Sequence, residues 1–352
     1  MSPDKQTSQI FRVVDANLNR LAEGLRVMEE IARLILNNPG ISGQLKTMRH
    51  DIVRGDLSFN RQLLQSRDAS ADVGVNLVVP GESKTKDISS ILVANARRVQ
   101  ESLRVLEELS KIPELKLDPD KFQAARFDLY TIERELLSGL LRQDKITTLK
   151  GLYVIVDSAS LQHRSHLEVT RLAIRGGART IQLRDKKTNK KELASIAARM
   201  KEVCAAGKVL FIINDHLDLA LAVNADGVHL GQNDLPVAIA RKQLPIDMIV
   251  GCSATSLDEV EKAQKDGADY IGFGAVYATS TKTDAVITGL KLLRQAATAV
   301  QIPIVAIGGI NKDNIKDVIS AGAAAAAVIS AVTEADDPEK ATRELVTLIN
   351  PF

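Results

Sequence analysis

The chain has 352 residues, which gives room for two domains, and a net charge of only +2, which excludes a strong basic field for nucleic acid. Hydrophobic residues at 45% and charged residues at 26% are ordinary for a soluble globular protein, and aromatics at 3%, with no Trp, supply no base-stacking platform. Two distant cysteines, Cys204 and Cys252, form neither a disulfide framework nor a zinc site, and no apolar stretch is long enough to span a membrane.

The opening "MSPDKQTSQIF" has no apolar signal region, so a cytoplasmic location is expected. Neither nucleic acid nor a membrane is an expected partner; a homo-oligomer is compatible with the sequence, which does not fix the state.

From Ser8 to about Gly139 the rhythm is helical. Leu18, Leu21, Leu25, Met28 and Ala32 recur at steps of three and four, which puts them on one helix face. Breaks rich in Gly, Pro, Ser and Asp ("NNPGISG", "RDASADVG", "VVPGESKTKD") separate the periodic runs. "ANLNRLAEGLRVMEE" from Ala16 and "ANARRVQESLRVLEE" from Ala94 align without gaps; nine of fifteen positions match, enough to expect a duplicated helix pair. "MRHDI" from Met48 and "ARFDL" from Ala125 repeat in the same sense.

Leu25 with Leu103, and Val27 with Val105, read as core. Asn17 and Arg20, like Asn95 and Arg98, lie three apart on a helix, as do Glu23 with Arg26 and Glu101 with Arg104. Intrahelical ion pairing is the plain explanation, worth only ~0.2–0.5 kcal/mol per pair. Pairs that weak need no fixed identity, yet both copies keep the same residues, which favours convergent arginines that grasp phosphate.

From Leu152 short β-branched runs alternate with helical stretches: "LYVIVD", "TIQLRD", "VLFIIND", "DGVHLG", "IVGCS", "YIGFGAV", "IPIVAIGG" and "AAAVIS". Eight such units in about 200 residues fit an α/β (β/α)8 TIM barrel. An open doubly wound sheet is the alternative, although no dinucleotide glycine fingerprint follows the first run. The expected organisation is an all-α duplicated helical domain over 1–145 and a barrel over 146–352.

Chemistry in such a barrel sits where strands end. Those positions carry Gln182, Arg184 and Lys186, then Asn214 and Asp215, His229 and Asp234, Ser253, Thr279, Thr281 and Lys282, Gly308 and Gly309, and Ser330. Cations neutralise phosphate, hydroxyls and glycine amides donate to it, and two carboxylates suit Mg²⁺ with phosphate oxygens. The set fits a metal-bound diphosphate on strands two to four and a metal-free phosphate on strands six to eight. Alone, each residue has a plainer reading: a solvated charge, a helix cap such as Asp185 or Asp284, or a packed ring such as His229. His163 and His166 read as solvated, and Cys204 as helix packing. Cys252 lies by the site without an activating partner.

The stretches "QLRDK", "NDH", "ADGVHLGQND", "GCSATS", "GADYIGFGAVYATSTKTD", "IPIVAIGGI" and "AVISAV" resemble the thiamine-phosphate synthase family from about Gly151 to Phe352. That resemblance implies joining of hydroxymethylpyrimidine diphosphate to thiazole phosphate, with Mg²⁺ and dissociative loss of pyrophosphate. It implies Gln182, Arg184, Asn214 and Lys282 for the pyrimidine diphosphate, with Lys186 and Ser253 beside it. Asp215 and Asp234 are implied for Mg²⁺, and Thr279, Thr281, Gly309, Ile329 and Ser330 for the thiazole phosphate. The chain departs from the family pattern at Ala275, Ala278 and Asp185, where Pro, Pro and Glu are usual; these touch loop rigidity more than phosphate chemistry. A related branch isomerises the thiazole or regulates other enzymes, and retention of Arg184, Asp215, Asp234 and Lys282 favours the synthase.

The helical half resembles a small domain family that phosphorylates hydroxymethylpyrimidine phosphate with ATP. The matching stretches are "RVVDANLNRLAEGLRVMEEIAR", "KTMRHDI", "SRDASADVG" and "VANARRVQESLRVLEELSK". Candidate site residues are Asn17, Arg20, Arg26, Arg49, His50, Asp72, Asn95, Arg98 and Arg104, with Asp68 or Asp72 for a metal. No GxxxxGK[ST] loop is present, so ATP binding is expected to be unconventional. A non-catalytic dimerisation or docking module is the competing expectation.

Overall fold

The structure, a computed structural model, describes residues 3–53, 57–67, 87–279 and 286–349. Of the expected site residues, Asp68, Asp72, Thr281 and Lys282 lie outside the described residues, as does Asp284. Two compact units are present, Met1–Leu141 and Arg142–Phe352.

The first unit is built from α1 (Pro3–Glu30), α2 (Pro39–Val53), α3 (Leu57–Ser66), α4 (Ile88–Leu109) and α5 (Pro119–Thr148), whose last turns belong to the second unit. Asp87 starts α4: its carboxylate accepts from the Ser90 amide at 2.7 Å and satisfies an otherwise orphaned donor. A short π-helical turn, Ile31–Ile35, ends α1. The periodic apolar positions are the core. Leu21, Leu25 and Met28 of α1 are fully buried with Leu92, Val99 and Leu103 of α4 and Leu129 of α5. Each such side chain contributes roughly 1.5–3 kcal/mol by leaving water.

Gly24 sets how closely α1 and α4 approach. A Cβ there would lie 2.5 Å from Val99 Cγ2 and 3.2 Å from the Asn95 carbonyl oxygen. Ser102, another small residue, holds the matching place on α4 and is buried.

The second unit is a closed parallel barrel in the order β1-β2-β3-β4-β5-β6-β7-β8, which excludes the open doubly wound sheet. The strands are β1 (Gly151–Asp157), β2 (Thr180–Arg184), β3 (Leu210–Asn214), β4 (Gly227–Leu230), β5 (Ile249–Ala254), β6 (Tyr270–Phe273), β7 (Ile304–Ile307) and β8 (Ala325–Val328). All eight coincide with the β-branched runs. Around them lie α6 (His166–Arg175), α7 (Lys190–Ala206), α8 (Leu217–Ala222), α9 (Val237–Gln243) and α10 (Leu257–Lys265), then α11 (Gly289–Ala299), α12 (Ile315–Ser320), α13 (Ser330–Thr333) and α14 (Pro338–Ile349).

Strand alternation divides the side chains between two layers. Leu152, Val154 and Val156 of β1 join the outer core under the helices, whereas Tyr153 and Ile155 join an inner core with Ile212, Ile249, Tyr270 and Val305. Ile146 and Leu149 pack against that inner core. The final turns of α5 are tied to the barrel by Arg142 on the Asp269 carboxylate at 2.8 Å and by Lys145 on the Asp247 carbonyl oxygen at 2.6 Å. Among the described residues no helix is long and apolar enough to cross a membrane.

Candidate active sites

At the carboxyl ends of β1 to β4 the chain gathers charge around a cavity of ≈ 470 Å³. Asp185, Lys186, Thr188, Lys190, Asp215, His216 and Asp234 are among its lining residues. Arg184 ends β2 and ion-pairs with Asp157, a buried carboxylate at the end of β1. The Asp157 carboxylate also accepts from the Ala159 amide at 2.9 Å, so the guanidinium is aimed from a fixed point. Sequence reasoning passed over Asp157; an acidic residue closing the apolar run "LYVIVD" was the available signal.

Lys186 Nζ stands 3.7 Å from Asp215 Oδ2. Burial, and the Asp234 carboxyl facing it, push the Asp215 carboxyl above its ordinary range, while Lys186 and Arg184 offset part of that. Asp234 Oδ2 is held by the Gly231 amide at 2.7 Å. Two facing carboxylates with a shared electrostatic penalty are a donor set that a hard divalent cation fits, with phosphate oxygens completing its shell. Among the described residues no third His, Cys, Asp or Glu joins them.

Asp185, at the wall of the cavity, builds its own loop. It accepts from the Lys187 amide at 2.8 Å, the Thr188 amide at 2.9 Å and the Thr188 hydroxyl at 2.7 Å. Burial alone would raise its carboxyl, but these donors outweigh it and hold it at about 2. It is not a helix cap, since Asn189 caps α7. His166 Nε2 lies 3.1 Å from Asp185 Oδ2 and its ring is largely buried, which corrects the expectation of a solvated histidine.

Below the rim, Gln182 points into the barrel and its Nε2 donates to the Tyr153 hydroxyl at 2.8 Å. Tyr153 meets the Tyr270 hydroxyl at 3.1 Å, and Tyr270 meets His229 Nδ1 at 3.1 Å. His229 Nε2 then meets the Ser253 hydroxyl at 2.9 Å. His229 is thus a packed residue under the site, and burial pushes its ring down to about 4, so it is neutral near pH 7. Cys252 is buried, and burial pushes its thiol up to about 11, as befits a bystander. Burial likewise pushes the Cys204 thiol, inside α7, up to about 12.

On the far side Gly308 and Gly309 follow β7 with positive φ angles of 100° and 64°. A Cβ on Gly309 would lie 2.4 Å from the Ala278 carbonyl oxygen, so the residue must be glycine for the segment after β6 to lie against it. That segment carries Thr279. Ile329 and Ser330 follow β8 and open α13.

In the helical unit the eight candidates within the described residues separate. Asn17, Arg20, Asn95 and Arg98 line one cavity of ≈ 440 Å³, together with Glu23, Gly24, Glu101, Ser102 and Val105. Asn17 donates to the Val13 carbonyl at 2.8 Å and Asn95 to the Ile91 carbonyl at 2.9 Å, the same bond at matched positions. Among the described residues, Arg20, Arg98, Glu23 and Glu101 have no ion partner.

Arg26, Arg49 and Arg104 are spent elsewhere. Glu29 is 4% exposed and takes Arg26 at 3.3 Å and Arg49 at 2.9 Å. Glu107, 6% exposed, takes Arg104 at 2.9 Å and Arg126 at 3.1 Å. The expected pairs of Glu23 with Arg26 and of Glu101 with Arg104 are replaced by these. His50 is exposed on α2, with Nδ1 3.5 Å from Asp51 Oδ1.

A closed (β/α)8 barrel with a tethered arginine, a lysine and facing carboxylates at the strand ends has the layout of a barrel enzyme for phosphorylated substrates. Residues 152–332 match the family described as thiamine monophosphate synthase, and residues 12–135 match the ThiD2 family. The chain is 38% identical over 350 residues to the thiamine-phosphate synthase of a Nostoc species, covering 99% of this chain and 97% of that one. The thiamine-phosphate synthase of Thermosynechococcus vestitus is 37% identical over 346 residues, covering 98% and 97%. The solved structure of a thiamine phosphate pyrophosphorylase from Pyrococcus furiosus superposes with a TM-score of 0.55 at 42% identity, over 58% of this chain and 97% of that one. The chain belongs to the thiamine monophosphate synthase family.

Proposed function

We propose that the barrel joins hydroxymethylpyrimidine diphosphate to thiazole phosphate and releases pyrophosphate. The observation that carries this reading is Arg184, anchored by Asp157 on the same rim as the facing pair Asp215 and Asp234. Asp215 and Asp234 would hold Mg²⁺, which when bound neutralises charge on the diphosphate. Arg184, with Lys186 beside it, binds the diphosphate oxygens, and Lys282 is assigned there by family position. Gln182 and Asn214 orient the pyrimidine, and Ser253 donates to the diphosphate.

The carbon–oxygen bond of the methylene breaks first, and its electron pair leaves with pyrophosphate. The thiazole nitrogen lone pair then forms the new carbon–nitrogen bond. No proton must be removed, so the site needs donors and cations for the leaving group and no general base. Gly309, Ile329, Ser330 and Thr279, with Thr281, take the thiazole phosphate.

The helical unit, a duplicated domain in this reading, makes the diphosphate from the monophosphate. A phosphate oxygen of the pyrimidine substrate attacks the terminal phosphorus of ATP, and ADP leaves. Arg20 and Arg98 are the guanidiniums that line the cavity, without an ion partner among the described residues, and the cavity is of a size that suits a ligand. Arg26, Arg49 and Arg104 build the unit instead of serving the substrate.

The test uses the full chain with Arg20→Ala and Arg98→Ala. Both variants should lose thiamine phosphate formation from monophosphate and ATP yet keep it from supplied diphosphate. Retention of the ATP-dependent route would remove the cavity from the reading. A change of assembly state without loss of turnover would favour a docking module.

A further inference from the structure

Four hydrogen bonds run unbroken across the barrel interior, from Gln182 on β2 through Tyr153 on β1, Tyr270 on β6 and His229 on β4 to Ser253 on β5. Gly251 and Gly272 make room for the rings. A Cβ on Gly251 would lie 2.1 Å from Tyr270 Cζ and 2.5 Å from His229 Nδ1, and one on Gly272 would lie 2.7 Å from His229 Cε1. The space is shaped for these side chains.

Such a chain has a direction. The direction follows because a buried hydroxyl hydrogen needs an acceptor, while a neutral imidazole donates from one nitrogen and accepts at the other. Gln182 Nε2 can only donate, so among the described residues the Tyr270 oxygen is the one acceptor for the buried Tyr153 hydrogen, and the Tyr270 hydrogen is then left for His229 Nδ1. His229 must then carry its hydrogen on Nε2 and donate to Ser253. Two groups are left for a ligand at the two ends. Gln182 Oε1 has no partner among the described residues, and the Ser253 hydroxyl hydrogen has no acceptor there.

We propose that Tyr153, Tyr270 and His229 are positioning residues whose oriented hydrogen-bond chain makes Gln182 an acceptor and Ser253 a donor toward the bound pyrimidine diphosphate. The inference rests on the barrel reading given above. Gln182 Oε1 accepts an N–H of the ring's amino group, and Ser253 donates to an oxygen of the departing diphosphate. Because the ends are coupled, a group that misfits at Gln182 also loosens the donor at Ser253. The chain thus ties recognition of the ring to stabilisation of the leaving group.

Two measurements test this on the full chain. The first is ¹⁵N spectroscopy of histidine-labelled protein, with His229 identified by its loss in His229→Gln. The wiring requires a neutral ring with the hydrogen on Nε2 and Nδ1 bare; the opposite tautomer, or a doubly protonated ring at pH 7, overturns it. The second compares wild type, Tyr153→Phe, Tyr270→Phe and the double variant on pyrimidine diphosphate, thiazole phosphate and Mg²⁺. Each single variant should lose about 100-fold in kcat, the low end for a lost donor at developing charge, with KM for thiazole phosphate unchanged. The double variant should be no worse than the worse single one, since one cut already breaks the chain. Tyr153→Phe should also lose preference for the amino ring over an analogue with methyl in its place. Phe variants with wild-type kcat, or losses that multiply and track melting temperature, sink the wiring alone. An inactive wild-type chain sinks the barrel reading beneath it.

Discussion

Glu29 and Glu107 lie at matched places in the two repeats, and each is held by two arginines, one from its own helix and one from a neighbour. A buried carboxylate is costly unless paired, so both copies keep the same solution to the same problem. Four of the repeated arginine positions are explained by it, two of them through Arg49 and Arg126. Arg20 and Arg98 are left over.

That division predicts opposite outcomes for the two sets. Glu29→Gln or Glu107→Gln should cost about 1–3 kcal/mol of stability, since each leaves Arg49 or Arg126 without its carboxylate while Arg26 and Arg104 keep Glu30 and Glu108. Arg20→Ala should stay within ~0.5 kcal/mol, because it breaks no pair. Thermal denaturation of the full chain separates the two.

Gly24 should tolerate no side chain. A Cβ would lie 2.5 Å from Val99 Cγ2, so Gly24→Ala must spread α1 and α4. The expected loss is about 1–3 kcal/mol, as for overpacking in other cores. Val99→Ala in the same chain should recover part of it, which melting curves will show.

Facing carboxylates at the rim predict a metal dependence. Asp215→Asn or Asp234→Asn should raise the Mg²⁺ concentration for half-maximal synthase activity at least about tenfold, as for a lost metal ligand or its support. Each variant should also melt no lower than wild type without metal, because it relieves the strain between the two acids. A magnesium titration and a melting curve check both halves.

Asp185 predicts an acid limb. Its carboxyl sits at about 2 in the folded chain against ~3.9 in an unfolded one. A lowered value contributes stability that is full above about pH 4 and lost as pH falls through about 2. Asp185→Asn should therefore be less stable than wild type at neutral pH, with the gap closing on acidification. Unfolding curves taken from pH 6 down to 2 check the sign.

Much of this was legible because it repeats or alternates. The eight strands announce themselves by β-branched runs, and the charged residues fall at their ends because the barrel fold fixes which end is open. The Asn-x-x-Arg repeats singled out four of the residues that line the helical cavity. Spacing could not separate Arg20 from Arg26, since each has a glutamate three residues ahead. What separates them is that Glu29 lies on the buried face, within reach of Arg49 on α2, while Glu23 faces the cavity. The interior chain was not legible either. Tyr153 and Tyr270 are 117 positions apart and meet only when the barrel closes, and each alone reads as core. His229 looked ambiguous because its partners come from two other strands.

The central claim is that one chain carries two consecutive reactions. The most direct measurement gives the full chain pyrimidine monophosphate, thiazole phosphate, ATP and Mg²⁺, and in parallel supplies the pyrimidine diphosphate without ATP. The account predicts thiamine phosphate in both, with ADP formed only in the first and one pyrophosphate released per thiamine phosphate in each. Product from the diphosphate but none from the monophosphate would contradict the kinase half, and no product from the diphosphate would contradict the whole account.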